Sequence, residues 1–244
     1  MKQMRLDKYL ADMGIGSRSQ VKNLIRKGKV TVNERVVKAP EFKVDPSDLV
    51  KADGAQVSYV EYEYLMLNKP GGVVSATEDK KERTVLDLVP DAARKDLFPV
   101  GRLDKDTEGL LLLTNDGALA HQLLSPKKHV DKTYFARIQG LVSEDEVDRF
   151  AKGLDIGDEK LTLPAKLKVL SSGSVSEVEV TIQEGRYHQV KRMFEAIDCS
   201  VTYLKRLSMG SLKLDENLNS GAYRVLTENE VSSLKLRKNE ESEG

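Results

Sequence analysis

Among the side chains able to do chemistry, two acids have the most unusual setting. Asp104 and Asp106 lie in Gly101-Arg102-Leu103-Asp104-Lys105-Asp106-Thr107-Glu108-Gly109, which runs into Leu110-Leu111-Leu112-Leu113 and then Thr114-Asn115-Asp116-Gly117. The leucine run is too short for a helix and ends in a turn signal, so it reads as a buried strand. A carboxylate that opens such a strand is expected to be held by a rigid element, as a catalytic group must be. A free aspartate, with a pKa of about 4, is ionised at neutral pH and available as a nucleophile without tuning. Two plainer uses compete. A loop aspartate often caps a neighbour, here Lys105 or Thr107. An Asp-x-Asp pair can also hold a cation, although no further carboxylate or histidine cluster accompanies this one.

Three other segments carry candidate groups. Lys132-Thr133-Tyr134 opens a strand over 134–138, and by itself Tyr134 reads as the ring a β-strand puts in a core. Residues 184–194, Glu-Gly-Arg-Tyr-His-Gln-Val-Lys-Arg-Met-Phe, contain a helix stripe: Val190, Met193, Phe194 and Ile197 lie at i, i+3, i+4 and i+7. Lys191 sits at the edge of that stripe and can turn toward a pocket beside the core, or simply pair with Glu195 along the helix. Lys69-Pro70-Gly71-Gly72 reads as a turn that brings strands beneath the site.

These segments need a framework. Residues 64–76 read as strand, Pro-Gly-Gly turn, and a second strand over 73–76. A helix is expected over 118–124. Ser143 with Glu146 forms a capping box for a helix ending near Gly153, and Thr227 with Glu230 caps a last short helix. Residues 175–183 alternate as a half-buried strand. Strands grouped among helices without a βαβ rhythm give an α+β fold with a mixed, largely antiparallel sheet flanked by helices.

The first sixty residues form a separate small α/β module. One helix carries Leu6, Tyr9, Leu10 and Met13 on one face and breaks at Gly14-Ile15-Gly16. A second starts at Ser17, whose capping-box partner is Gln20, and stops at Gly28. Two short strands follow, Val30-Thr31-Val32 and Val36-Val37. The expected domains are 1–60 and 61–237, with a linker around 55–62 and a disordered acidic tail over 238–244. Net charge is zero over 244 residues, but residues 1–60 hold 12 basic and 7 acidic side chains, leaving 27 basic and 32 acidic in the rest. A basic front end on a mildly acidic body hints at nucleic acid.

Together the segments around Asp104, Tyr134, Lys191 and Lys69 resemble the motifs of the RsuA-like pseudouridine synthases. The basic helix pair and hairpin from Arg5 to about Lys51 resemble the RNA-binding domain named after ribosomal protein S4. The resemblance covers nearly the whole chain and implies isomerisation of an rRNA uridine to pseudouridine, with small-subunit rRNA favoured over large-subunit rRNA. It implies Asp104 as nucleophile, attacking at the sugar or the uracil ring. It implies Tyr134 against the uracil and a basic residue paired with the aspartate, at Lys191, with Arg192 as its rival. Relatives often carry Arg at that position; Lys cannot make the bidentate fork. RNA contacts are expected from Arg5, Arg18, Lys22, Arg26 and Lys27 on the front module and from Arg102, Arg186 and Arg192 around the cleft.

The bulk features are compatible. No apolar run approaches the ~20 residues of a membrane span, and residues 1–8 lack the apolar core of a signal peptide. Cys199 is the single cysteine, as in a reducing cytosol, and with three scattered histidines it makes no usual zinc site. The chain is expected to act as a cytoplasmic monomer on rRNA or an assembly intermediate, without cofactor or metal. Two other classes stay open: a non-catalytic RNA-binding assembly factor, and a metal-dependent hydrolase using Asp104 with Asp106.

Overall fold

The computed structural model describes residues 3–236; the expected tail at 238–244 lies outside the described residues. Contacts divide the chain into two compact units, one of Met1–Glu63 with Pro90–Leu97, the other of Tyr64–Val89 with Phe98–Gly244. No helix of the described residues is long and apolar enough to cross a membrane.

In the first unit, β1 (Met4–Arg5) leads into α1 (Leu6–Asp12), and α2 (Arg18–Arg26) starts where the Ser17 hydroxyl accepts the Gln20 N–H and the Gln20 side chain accepts the Ser17 N–H. Gly28, at φ +71°, ends it. β2 (Val30–Val32) and β3 (Arg35–Val36) form a hairpin over Asn33 and Glu34, both left-handed. β4 (Lys43–Val44) pairs with β1, while β5 (Val50–Ala52) and β6 (Ala55–Val57) extend the sheet in the order β3-β2-β5-β6. Leu6, Tyr9, Leu10, Val21 and Ile25 from the helices meet Val30, Val32, Val44, Val50 and Val57 from the strands in one core.

The expected linker at 55–62 is therefore partly structure: 55–57 is a strand, its end fixed by the Tyr9 hydroxyl donating to the Val57 carbonyl at 2.8 Å. The unit also recruits Pro90–Leu97 from far along the chain. The Glu63 carboxylate accepts the backbone N–H groups of Ala93 and Arg94, and the buried Arg94 guanidinium reaches Asp96, Asp12, Tyr59 and the Val60 carbonyl. Nothing in the local periodicity announces this return.

The second unit is built on β7 (Tyr64–Lys69), β8 (Phe98–Pro99), β9 (Glu108–Thr114), α3 (Gly117–Leu124), β10 (Lys132–Gln139), α4 (Glu144–Lys152), β11 (Lys166–Ser171), β12 (Val175–Ile182), α5 (Gln189–Glu195), β13 (Ser200–Met209), β14 (Leu212–Lys213), β15 (Tyr223–Val225) and α6 (Glu228–Leu236). The sheet runs β11-β12-β10-β13-β9-β7-β15, with β14 on β13 and β8 on β9. Among the described strand pairings of this sheet, only β9–β13 is parallel. The four leucines 110–113 form the centre of β9 with no exposed surface: Leu110 and Leu112 pack with Met66, Leu119 and Met209, while Leu111 and Leu113 are buried on the other face.

The second strand expected at 73–76 does not form; the described backbone there makes a single bridge between Val74 and Thr84. After Gly72, at φ +83°, the chain leaves the sheet, and its polar groups are satisfied by Arg83, by Val85 and by the loop at 103 instead of a ladder.

Candidate active site

Asp104 does not open β9. It lies in a turn four residues ahead of Glu108, closed by the Thr107 N–H donating to the Asp104 carbonyl at 3.1 Å. Its rigidity comes from two side chains contributed by other segments. Lys69, fully buried at the end of β7, donates to the carbonyls of Pro70, Asp104, Lys105 and Thr107 at 2.8–3.2 Å. Three ammonium protons thus serve three carbonyls of the turn and that of Pro70. Burial pulls the Lys69 pKa down to about 8, against the opposing pull of Asp106, Glu108 and Asp104. Before the turn, Ser75 braces Leu103 at both backbone groups, donating to its carbonyl at 2.9 Å and accepting its N–H at 3.1 Å. The plain reading of Lys69-Pro70-Gly71-Gly72 as a strand-joining turn therefore misses its main work, which is to fix the backbone under Asp104.

Across the cleft, Lys191 on α5 places Nζ 3.2 Å from Asp104 Oδ2 and 2.7 and 2.9 Å from the two oxygens of Asp106. Among the described ion pairs its partners are these two aspartates, and Glu195 is not one. Burial alone would lower the Lys191 pKa, but the hydrogen bonds to Asp106 and Asp104 more than offset it and the net shift is upward. The same hydrogen bond from Lys191 holds Asp106 below the usual carboxylate range. A cation already bridges the two acids, so Asp104 and Asp106 face an ammonium rather than an open metal position, and no group of three or more His, Cys, Asp or Glu among the described residues could hold a metal ion.

Tyr134, on β10, lies opposite Val180 and Arg206 in the sheet and is nearly buried, yet it lines the same cleft as Asp104. Arg102, Thr107, Ile182, Gly185, His188 and Leu204 complete much of the lining of this cleft, which is open to solvent. The Thr107 hydroxyl is buried on this lining without a hydrogen-bond partner among the described residues. A carboxylate bound by an ammonium, a tyrosine ring and a hydroxyl without a hydrogen-bond partner among the described residues thus line one cleft.

Comparison with known proteins decides the family. The profile described as RNA pseudouridylate synthase matches residues 63–196, and the S4 domain profile matches residues 4–50. This chain belongs to the RNA pseudouridylate synthases. Its relatives include the "Uncharacterized RNA pseudouridine synthase" of Bacillus subtilis (strain 168), 49% identical over 95% of this chain and 98% of that one. The "Ribosomal small subunit pseudouridine synthase A" of Escherichia coli (strain K12) is 42% identical over 95% of this chain and all of its own length. A solved structure titled "Crystal structure of pseudouridylate synthase" shares 38% identity at a TM-score of 0.67, covering 95% of this chain and 99% of that one.

In this pseudouridine synthase, several cations expected to touch RNA are committed elsewhere. Arg192 does not approach Asp104 as a rival to Lys191; its guanidinium binds Asp158 at 2.6 Å and the carbonyls of Ile156 and Tyr187. Arg186 is held by Glu184, Asp158 and the carbonyls of Lys160 and Leu161. Both shape the turn before α5. Arg5 makes a two-pronged bond to Asp7 at 2.8 and 2.9 Å. By contrast Arg102 is exposed on the cleft lining, and Arg18, Lys22, Arg26 and Lys27 have no ion-pair partner among the described residues. His188 escaped notice: it sits left-handed at φ +47°, with Nε2 3.6 Å from Asp104 Oδ1. A histidine two residues after Arg186 in the helix-opening turn was the available signal.

Proposed function

We propose that this enzyme converts a uridine of small-subunit rRNA to pseudouridine, with Asp104 as nucleophile. The observation that carries the reading is a single carboxylate, Asp104, fixed from behind by Lys69 and Ser75 and faced by Lys191 and Tyr134 in one cleft. The relatives named for small-subunit rRNA support the choice of substrate.

The reaction breaks the bond between ribose C1′ and uracil N1 and forms one between C1′ and C5; C5 gives up its proton to solvent and N1 takes one up, so the product is an isomer of the substrate. No electrons are exchanged with another molecule. The target uridine is extruded into the cleft, where the Tyr134 ring backs the uracil. Asp104 attacks either ribose C1′, displacing uracil through N1, or uracil C6, whose ring electrons move to O4, and the covalent bond so formed is broken again before pseudouridine leaves. Lys191 orients the carboxylate, and Asp106 holds Lys191 by occupying its other contacts. Thr107, otherwise unpaired, donates to the bound nucleoside. Arg102 supplies charge for a neighbouring phosphate, and Arg18, Lys22, Arg26 and Lys27 grip the RNA backbone from the S4 domain.

The test is tritium release from small-subunit rRNA labelled at uracil C5, since that hydrogen leaves only when the base is re-attached through C5. Wild type should release it and Asp104→Asn should not, with both proteins melting at the same temperature and binding the RNA alike. Release by Asp104→Asn at the wild-type rate would remove Asp104 from the role, and release confined to large-subunit rRNA would move the substrate.

A further inference from the structure

One feature at the rim of the cleft is used by none of these roles. Tyr187 is 72% exposed, more than any other large hydrophobic side chain among the described residues. Its ring stacks on His188, with centroids 3.9 Å apart and planes 16° from parallel. His188 lines the cleft beside Asp104. One face of Tyr187 is thus backed by an active-site residue, and the other is open to solvent.

The mounting is rigid. Arg192 donates to the Tyr187 carbonyl at 3.1 Å and is itself locked on Asp158. The Arg186 N–H donates to Gln189 Oε1 at 2.9 Å, and Gln189 in turn donates to Glu184 at 2.9 Å. Two arginines, a glutamine and a left-handed His188 are spent on presenting one uncovered ring. An aromatic presented in this way pays little ordering entropy on contact and offers a face that any base can stack on.

We propose that Tyr187, backed by His188, is a stacking subsite for the unpaired nucleobase adjacent to the target uridine. The inference rests on the proposed function. A uridine extruded toward Tyr134 leaves its neighbour's base without a stacking partner, and the open ring lies at the rim of that same cleft. Exposed Arg102 on the lining is available to the intervening phosphate. The occupant is a base rather than a peptide side chain because the ring continues a cleft whose other members are suited to a nucleotide.

The chain contains no tryptophan, so Tyr187→Trp places a single fluorescent stacking ring at the site. Oligouridylate should quench it, whereas an abasic ribose-phosphate of equal length and charge, bound to the same extent by anisotropy of its end label, should not. Equal quenching by both, or none by bound oligouridylate, overturns the subsite. In turnover, Tyr187→Ala should raise the KM for rRNA by on the order of tenfold to a hundredfold, with a smaller change in kcat, and Tyr187→Phe should restore it. A wild-type KM in Tyr187→Ala also overturns it. Fluorescence needs no turnover: silence of the wild type in tritium release counts against the reaction, while the quenching comparison still decides the subsite.

Discussion

Lys69 shows how one buried charge can act on both chemistry and stability, with opposite signs. Its ammonium ties together the carbonyls of the Asp104 turn, and burial lowers its pKa to about 8. In the unfolded chain the value is 10.5. Below pH 8 both states hold the proton, and the folded protein carries the full cost of burying it. Between about pH 8 and 10.5 the unfolded state binds more protons, so this group's contribution to stability rises with pH. Activity should move the other way, because a neutral amine loses a donor and the charge that strengthens the remaining bonds. We therefore expect kcat to fall as pH rises through about 8 while the Lys69 contribution to the urea midpoint increases. Lys69→Met should abolish that alkaline limb and, by leaving carbonyls unmet, destabilise the protein by roughly 1.5–3 kcal/mol. Parallel kcat–pH profiles of the two proteins check the assignment; the same limb in Lys69→Met would give it to another group.

At the scale of elements, the site depends on β9 meeting β13, since β9 follows the Asp104 turn and β13 lies between it and the strand of Tyr134. Gly109 makes that parallel pairing possible. It stands opposite Arg206 at φ +98°, and a Cβ there would fall 2.3 Å from the Arg206 carbonyl oxygen and 2.8 Å from its nitrogen. Backbone on both sides cannot yield as a side chain would. Gly109→Ala should thus cost more than 3 kcal/mol on the scale of the largest point-mutant effects (about 4–5 kcal/mol), read as a lowered urea midpoint, and should lose turnover as the strands part. A midpoint within 1 kcal/mol of wild type would show that the pairing is dispensable. Much of this framework was legible locally. The capping boxes at Ser17 and Ser143, the buried leucines of β9 and the α5 stripe of Val190, Met193 and Phe194 are all written within a few residues of each other. The family motifs likewise named Asp104, Tyr134 and Lys191, which one cleft brings together. What could not be read was the choice of distant partners. Residues 73–76 have strand composition, yet Ser75 bonds Leu103; Arg186 and Arg192 look like phosphate ligands, yet Asp158 and nearby carbonyls take them. Local pattern gives a side chain's chemistry and leaves its long-range contact undetermined.

For the whole molecule, zero net charge conceals a division of labour. The first sixty residues carry a surplus of five positive charges and the remainder an equal deficit. Within the S4 domain, α2 turns Val21 and Ile25 inward and leaves Arg18, Lys22 and Arg26 on a stripe spaced by four residues, one turn apart. None of the three makes an ion pair among the described residues; Arg18 and Arg26 are exposed, and half-buried Lys22 also lends its charge to Asp7. The cleft, by contrast, spends Lys191, Arg186 and Arg192 on internal acids. Affinity for RNA should accordingly reside in the S4 domain and be strongly salt-dependent, while the cleft contributes selection and chemistry. Each phosphate contact releases counterions worth about 0.7–0.9 in the slope of log K against log salt. Replacing Arg18, Lys22 and Arg26 together with glutamine should lower the magnitude of that slope by about 2–3, raise KM for rRNA and leave kcat at saturating RNA near wild type. Filter binding from low to moderate salt measures the slope. If it is unchanged while KM still rises, the three residues shape the domain rather than contact phosphate, and the electrostatic grip lies on another surface.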